Sequence, residues 1–330
     1  MSLGRIPVIF DTDPGVDDAL ALLFALAHPD IEMLGITTVF GNVEVPQATA
    51  NALLLTHLCD RDVAVAQGAG KPWRKAPHPP PAFIHGADGL GELALTRPAT
   101  RCADSRSAAN FIVDTVMARP GEVSLVAVGP LTNLADALTL QPDLPKHVKS
   151  IVIMGGTVLE PGNVSPVAEA NIWNDPDAAD RVFTAGWPLT MVGLDVTHRV
   201  VVTVEMLERV AAAHQHPATD ALLHAFRFYA NFYATRHGHL VTQPGSYAHD
   251  LLAFMYLLHP DYFGTESGVI RVALEGLAQG QTMMCRQPFM HYAQAGWEAN
   301  MPQSKACMSV QSQACLSLLE ETLMQPWLSP

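Results

Sequence analysis

The sequence predicts an α/β fold in which an open, mostly parallel central sheet carries helices on both faces, as in Rossmann-like proteins. Short apolar runs alternate with helical patterns, and this β-α-β-α order is typical of a parallel sheet. The strand candidates are nearly continuous in apolar residues, which indicates burial on both faces. No repeat, low-complexity tract or clear linker interrupts the pattern. We therefore expect one domain over residues 1–330.

The strand and helix patterns follow one another at short spacing through the first part of the chain. The predicted strands lie at residues 6–10, 33–39, 62–66, 123–128, 149–154 and 188–194, and the predicted helices at 17–28, 46–58, 105–118, 131–140 and 177–185. A loop is predicted at residues 71–87, because its four clustered prolines cannot continue a helix or a central strand.

The last third of the chain has a different pattern. Residues 203–258 are helical in periodicity, so we expect an inserted helical segment, at about 200–260, that completes the functional site. Short strand candidates follow at 269–274, 282–286 and 305–310, and a helix is predicted at 314–324.

Composition excludes several classes of protein. The formal net charge is −13 and no run of Lys or Arg is present, whereas nucleic-acid binders usually carry a basic face. No apolar stretch is long enough to span a membrane, and Asp11 and Asp13 interrupt the N-terminal apolar run early. The five cysteines are odd in number and form no Cys-x-x-Cys pair, which argues against a disulfide framework or a zinc site. We expect a cytoplasmic protein that binds neither nucleic acid nor membrane.

Four carboxylates lie within eight residues in the sequence Asp11-Thr12-Asp13-Pro14-Gly15-Val16-Asp17-Asp18. This segment follows the first predicted strand and opens the first helix, at the edge of an α/β sheet where ligands bind. Carboxylates this close repel one another, and a hard divalent cation such as Ca²⁺ or Mg²⁺ relieves the repulsion. Helix capping explains one or two of the aspartates. It does not explain Asp11 and Asp13 at the end of a buried strand.

This segment is one of several motifs that resemble the nucleoside hydrolase family of the inosine-uridine-preferring type. The family's Asp-x-Asp-Pro-Gly-x-Asp-Asp sequence is intact at 11–18, and further matches follow in the family's order. They are residues 37–42 (TTVFGN), 84–91 (IHGADGLG), 128–133 (VGPLTN), 154–156 (MGG), 162–171 (GNVSPVAEAN) and the pair His249-Asp250. The matches extend from residue 6 to about 325. The resemblance implies an N-ribosyl hydrolase that cleaves ribonucleosides to ribose and free base in purine or pyrimidine salvage.

The resemblance also implies a role for each matching residue. The expected ligands of one Ca²⁺ ion per subunit are the side chains of Asp13, Asp18 and Asp250 and the main-chain carbonyl of Val128. The expected substrate-binding residues are Asp17, Asn42, His85, Asn163, Glu169 and Asn171, with His85 on a mobile loop over the base. The expected catalytic residues are Asp13 and His249. Asp11 is expected to support the site without binding the metal or the substrate itself. The family is homodimeric or homotetrameric and needs no organic cofactor.

These residue types suit the cleavage of an N-glycosidic bond. Positive charge builds on the ribose ring in the transition state, and a ring of carboxylates is a preorganised field for it. We expect water to attack opposite the leaving base, as in inverting glycosidases, with Asp13 as general base. His249 is expected to supply a proton to the leaving base. Glu169 and Asn171 are two residues apart, so in an extended segment they would point to the same side.

Two departures from the family's pattern leave the preferred base open. The family has an aromatic residue between the Glu and the Asn of the ribose segment, where this chain has Ala170. The segment 243–248 reads QPGSYA in place of a Gly-Gly-Pro type. Arg236 or His237, upstream in the helical segment, is a candidate contact to the base.

Other polar and aromatic residues near these motifs have an ordinary structural interpretation. Asn133 follows Thr132 and is typical of a helix start. Tyr229 and Tyr233 lie at helical spacing, which is more typical of a core, although they are the first aromatic candidates to face the base.

Two other functions compete with nucleoside hydrolysis. An aspartyl phosphohydrolase would use Asp11 as nucleophile and Asp13 as acid/base with Mg²⁺, but Gly15 stands where such enzymes prefer Thr or Val. A binding protein that kept the site and lost turnover is the other alternative. The intact Asp13 and His249 favour the enzyme.

Overall fold

Nine strands form the main sheet of the protein within the residues that the structure describes. The structure is a computed structural model and describes residues 4–93, 95, 101–236, 242–286, 292–298 and 300–328. The strands are β1 (Ile6–Thr12), β2 (Ile31–Thr38), β3 (Val65–Gln67), β4 (Ser124–Ala127), β5 (Ser150–Met154), β6 (Leu189–Val192), β9 (Phe263–Val272), β10 (Thr282–Cys285) and β11 (Ser304–Val310). Their order across the sheet is β10-β9-β11-β6-β5-β4-β1-β2-β3. A separate antiparallel pair consists of β7 (Val201–Thr203) and β8 (Gly245–Tyr247).

Helices connect the strands and cover the sheet. They are α1 (Val16–Ala27), α2 (Val45–Leu58), α3 (Ala82–His85), α4 (Ala108–Ala118), α5 (Thr132–Leu140), α6 (Ala170–Asn174), α7 (Pro176–Phe183), α8 (Leu194–Thr197), α9 (Val204–His214), α10 (Pro217–Arg236), α11 (Leu251–Leu258) and α12 (Ser312–Leu323). No helix in the part of the chain that the structure describes is long and apolar enough to cross a bilayer.

The sheet is buried on both faces, as its apolar strands predict. Along β1, Val8 and Phe10 pack into a core with α1, α2 and the helices after residue 200, whereas Ile9 packs into a second core with α4, α5 and α7. This alternation follows from the two-residue period of a strand. The strands between β11 and β3 are parallel to their neighbours, so the predicted fold class is confirmed.

Three local expectations were wrong in detail. Residues 71–87 are not entirely loop, because α3 forms directly after the prolines. The helical segment is interrupted by β8, which pairs with β7. Strand β9 begins at Phe263 instead of residue 269 and is antiparallel to both neighbours. Its first half is polar because it lies near the edge of the sheet, where apolar residues are not required.

The parallel strands bring five chain segments to one edge of the sheet. Their carboxyl ends are the places where α1, the turn before α2, the turn before α5, the segment after β5 and α8 begin. The residues singled out from the sequence lie in these connections and at the start of α11, so the topology gathers them at this edge.

Candidate active site

An aspartate in the first turn of α1 cross-links the turn that precedes the helix. Asp18 lies in the first turn of α1, and its Oδ2 accepts hydrogen bonds from the Gly15 amide (2.9 Å) and from Asn42 Nδ2 (2.9 Å). Its Oδ1 accepts from the Thr12 hydroxyl and from the Asp13 amide. Helix capping is therefore part of the role of Asp18. The same contacts fix the turn that carries Asp13 and Asp17.

Asp13 is held between two glycine backbones. Its Oδ2 accepts a hydrogen bond from the Asn42 amide at 2.7 Å. A Cβ atom added to Gly129 would lie 2.7 Å from Asp13 Oδ1, and one added to Gly41 would overlap Asp13 Oδ2. Burial raises the pKa of Asp13 well above its usual value, and the nearby charges of Asp18 and Asp17 raise it further.

Three carboxylates converge near Asp13. Oxygen atoms of Asp17, Asp18 and Asp250 lie within 4.8 Å of one another, and all three side chains are buried. Asp250 reaches this place from the start of α11. Burial raises the pKa of Asp250 well above its usual value, and the charges of Asp17, Asp18 and Asp13 add to the effect. The structure thus brings together residues that are more than 230 positions apart in the sequence.

The donor set of this cluster fits a hard divalent cation. Among the described residues, four buried side-chain nitrogen or oxygen atoms find no hydrogen-bond partner, and three of them are carboxylate oxygens, those of Asp11 Oδ2, Asp13 Oδ1 and Asp17 Oδ1. Buried polar atoms are almost always satisfied. Orphaned oxygens in a group that contains only oxygen ligands therefore indicate a place for a metal ion.

Asp11 stands behind the cluster and is supported by two side chains. Thr37 Oγ1 donates to Asp11 Oδ1 at 2.5 Å, and Asn133 Nδ2 donates to the same oxygen at 2.7 Å. Asn133 also donates to the Thr38 carbonyl and accepts from the Ala69 amide. Burial raises the pKa of Asp11 to about 7. The interpretation of Asn133 as an ordinary helix-start residue was too narrow, since it ties Asp11 to two neighbouring loops.

The segment expected to bind ribose lies against the same edge. Glu169 is buried and caps α6, because its carboxylate accepts from the amides of Gly156, Asn171 and Ile172. Asn171 Nδ2 donates to the carbonyl of Val128 at 2.7 Å, so the expected substrate ligand and the expected metal ligand are in contact. Burial raises the pKa of Glu169.

Asn163 lies further out than its partners in the ribose segment. Its side chain is exposed, and Oδ1 accepts a hydrogen bond from the Ala170 amide at 3.0 Å. In this arrangement Asn163 stabilises the turn that carries Glu169 and Asn171.

His249 is buried and directly precedes Asp250 in the chain. Its Nδ1 lies 2.8 Å from the Thr197 hydroxyl, and its Nε2 lies 2.9 Å from the Tyr233 hydroxyl. Tyr233 is 3.4 Å from Tyr229 between hydroxyl oxygens, and burial together with the nearby charge of Asp17 raises the pKa of Tyr229. The hydroxyl groups of the two tyrosines therefore extend from His249 towards Asp17. The two tyrosines line the site, and sequence reasoning did not single out Thr197.

His85 occupies a buried position at the end of α3, next to the acidic turn. Its Nδ1 accepts a hydrogen bond from the Val16 amide at 3.2 Å, and its ring stacks on Tyr229 with 5.1 Å between centroids. The same Nδ1 is 3.8 Å from Asp17 Oδ1. Burial lowers the pKa of His85 to about 3, so the ring is neutral and this proximity is not an ion pair. His85 forms a wall of the site together with Tyr229.

The candidates for base contact were Arg236 and His237. Arg236 is exposed at the end of α10, and its guanidinium lies 5.4 Å from the centroid of the Phe232 ring. His237 lies outside the described residues.

The fold and the buried oxygen-rich site define a class of α/β protein with an acidic cluster, suited to a divalent cation, at the carboxyl edge of a parallel sheet. Residues 8–317 match the model of the family described as inosine-uridine preferring nucleoside hydrolase. Among curated relatives, the probable uridine nucleosidase 1 of Oryza sativa subsp. japonica is 39% identical over 327 residues, covering 98% of each chain. Two solved structures are also similar across nearly the whole length.

The first of these structures is a plant nucleoside hydrolase, with a TM-score of 0.89 at 34% identity, covering 98% of this chain and 100% of that one. The second is a purine-preferring ribonucleoside hydrolase from Gardnerella vaginalis, with a TM-score of 0.87 at 32% identity, covering 96% and 98%. The chain belongs to the inosine-uridine preferring nucleoside hydrolase family, and it is an N-ribosyl hydrolase that acts on ribonucleosides.

Proposed function

We propose that the protein hydrolyses the N-glycosidic bond of ribonucleosides in a Ca²⁺-dependent reaction with Asp13 as general base and His249 as the acid for the leaving base. The observation that carries the proposal is the group of buried carboxylates at the carboxyl edge of the sheet, where oxygens of Asp13 and Asp17 lack any hydrogen-bond donor. Such a group is costly to fold without a cation and is suited to stabilising positive charge on a sugar.

The proposed ligands of the ion are Asp13, Asp18, Asp250 and the carbonyl of Val128, at one ion per subunit. Calcium is bound by oxygen ligands, and all four proposed ligands are oxygen donors. When bound, the ion supplies the positive charge that lowers the pKa of the attacking water and orients the ribose hydroxyls. Asp17, whose oxygens lie beside those of Asp18 and Asp250, is then placed to accept a hydrogen bond from a ribose hydroxyl.

The remaining steps follow from the positions of the chain's own groups. Asp13 accepts a proton from water as the water oxygen bonds to C1′ of the ribose. The bond between C1′ and the base nitrogen breaks with both electrons going to the base. His249 donates the proton that neutralises the leaving base, with Tyr233 in hydrogen-bond contact with its Nε2.

The proposed substrate pocket combines a polar and an aromatic side. Asn42, Glu169, Asn171 and Asn163 are proposed to hold the ribose, and His85 and Tyr229 to cover it. Selectivity for ribose over deoxyribose is expected because buried polar groups left without a hydroxyl partner would be unsatisfied. The cytoplasmic location, the homodimeric or homotetrameric state and the single-domain organisation stay predictions.

The proposal is tested by measuring reducing sugar released from inosine, uridine, cytidine and adenosine by the full-length protein, before and after chelation of Ca²⁺. We expect release that disappears on chelation, returns on adding Ca²⁺ and is absent in Asp13→Ala. Asp104→Ala removes a partly exposed carboxylate that is ion-paired with Arg106 outside the cluster and serves as the matched control with unchanged rates. The order of rates among the four nucleosides ranks the base preference.

Two outcomes contradict the proposal. Release of phosphate from phosphomonoesters without release of ribose would indicate the aspartyl phosphohydrolase. Stabilisation of the fold by nucleosides in a thermal-shift assay, with no ribose formed, would indicate a binding protein.

A further inference from the structure

A threonine hydroxyl holds one nitrogen of the imidazole that is proposed to protonate the leaving base. Thr197 is the last residue of α8 and is completely buried. Its Oγ1 lies 2.8 Å from His249 Nδ1, while Nε2 on the other side of the ring lies 2.9 Å from the Tyr233 hydroxyl. The two ring nitrogens of His249 therefore lie next to different hydroxyl groups, that of Thr197 and that of Tyr233.

We propose that Thr197 is a positioning residue for nucleoside hydrolysis, whose hydroxyl fixes the ring of His249 so that Nε2, and not a ring carbon, lies on the side of Tyr233, from which it delivers its proton. The inference rests on the proposed function, because His249 must deliver a proton for its orientation to matter. Thr197 does not itself contact the reacting atoms.

The contact selects one orientation of the ring. Turning the imidazole by half a rotation about its bond to Cβ places a carbon where each nitrogen had been. The Thr197 hydroxyl would then face a C–H group, and a buried hydroxyl and a buried ring nitrogen would each lose a hydrogen-bond partner, which is unfavourable. A hydroxyl can donate or accept, so the contact holds for either tautomer of the ring.

Hydrogen bonds hold the backbone around Thr197 in place. The Thr197 amide donates to the Gly193 carbonyl at 3.2 Å. Two residues earlier, the Asp195 carboxylate accepts hydrogen bonds from the amides of Val158, Leu159 and Glu160, so α8 is tied to the segment after β5. Threonine is β-branched, which restricts its own side-chain rotation. The hydroxyl therefore reaches His249 from a fixed point.

Neighbouring rings limit the movement of His249 without selecting a nitrogen. Tyr247 and His198 contact it edge to face, with centroid distances of 5.8 Å and 5.6 Å. Ring contacts at these distances fill space and restrict tilting of the imidazole. The Thr197 hydroxyl, at 2.8 Å, is within hydrogen-bond distance of Nδ1 and so favours a nitrogen over a carbon there.

The test compares two kinds of substrate. A nucleoside needs a proton on its leaving base, whereas p-nitrophenyl β-D-ribofuranoside releases a stable anion that needs none. We expect Thr197→Val to lower kcat for inosine and uridine by roughly 10- to 100-fold, a part of what general acid catalysis contributes. KM and the turnover of the p-nitrophenyl riboside should stay within about threefold, and Thr197→Ser should restore kcat because it restores the hydroxyl.

Two controls separate positioning from structure. Thr56→Val removes an equally buried hydroxyl, one that bonds the Ala52 carbonyl within α2, and should leave all rates unchanged. In a His249→Ala background, Thr197→Val should lower kcat no further, because residues that act through one another are not additive. Thr197→Ala is tested beside it, with the same expectation, because it adds no atoms if the valine fails to fold.

The outcomes distinguish the inference from the function beneath it. An equal loss on nucleosides and on the p-nitrophenyl riboside, or a further loss on top of His249→Ala, overturns the role of Thr197 alone. Absence of ribose release by the unmodified protein from every substrate overturns the proposed function, and this inference with it.

Discussion

Buried carboxylates occur in two regions of this molecule, and they differ in how their oxygens are satisfied. At the acidic edge of the sheet, Asp11, Asp13 and Asp17 each have an oxygen without a hydrogen-bond partner. Outside the acidic cluster, Asp180 and Asp195 are also buried, but each of their carboxylate oxygens accepts at least one hydrogen bond. The comparison shows that burial by itself does not mark a functional aspartate.

The two satisfied aspartates hold parts of the fold together. Asp195 ties three consecutive amides of the segment after β5, as described above. Asp180 on α7 accepts a forked pair of hydrogen bonds from Arg271, at 2.7 and 2.8 Å, and another from the Val272 amide. This contact attaches the antiparallel edge strand β9 to a helix. Both aspartates fix chain segments, whereas those of the acidic edge keep oxygens available for a ligand.

The largest effect is expected at the acidic edge, for Asp13→Asn. The substitution keeps the shape of the side chain and removes its ability to accept a proton, so kcat/KM should fall by about 1000-fold. The free energy of unfolding in the presence of a chelator should change by less than about 1 kcal/mol, because no donor to Asp13 other than the Asn42 amide is lost. Ribose release and thermal unfolding measure the two quantities. A kcat/KM within tenfold of that of the unmodified protein would contradict the role of Asp13 as general base.

An intermediate effect is expected for Asp180→Asn, which should lower stability and leave activity nearly unchanged. Removing one charge leaves Arg271, which is three-quarters buried, without its partner, and we expect a loss of about 2 kcal/mol in the free energy of unfolding. The kcat/KM of the folded protein should stay within about threefold. Urea unfolding monitored by circular dichroism measures the loss. The double variant Asp180→Asn, Arg271→Met should recover part of it, and an unchanged urea midpoint for the single variant would contradict the structural role.

The smallest effect is expected at Asn133, which donates a hydrogen bond to Asp11. Asn133→Ala removes one of the two donors to Asp11 and the acceptor of the Ala69 amide, which should cost about 1 kcal/mol of stability and a few-fold in kcat. Asn110→Ala, which changes an exposed side chain on α4, is the matched control and should alter neither quantity. If Asn133→Ala changed stability without any effect on kcat, Asp11 would belong with the structural aspartates.

The sequence predicted the fold where elements were long and apolar. The expected helix at 17–28 is α1, and the expected strand at 6–10 is the apolar part of β1. Strand β1 continues to Thr12, because Asp11 and Thr12 pair in register with Thr37 and Thr38 of β2. Asp11 and Thr12 are polar because this end of β1 forms part of the candidate active site. The three-residue strands β7 and β8 carried no recognisable period, and α3 was hidden by the prolines around it.

The candidate site was predictable only where its residues are close in sequence. The density of carboxylates at 11–18 is a local signal, and it indicated both the place and the oxygen-rich chemistry. Asn133 and Thr197 reach their partners across separations of 122 and 52 residues, and their residue types are ordinary. One signal was available, since both closely follow predicted parallel strands and so belong to the edge where ligands bind.

The glycines on either side of Asp13 limit which substitutions this chain can accept. Gly41 and Gly129 carry no side chain that could act as acid, base or ligand. Yet one methyl group at either position would overlap the Asp13 carboxylate. The need for a carboxylate at residue 13 therefore restricts two further positions that perform no chemistry, because its oxygens occupy the space that any side chain there would need.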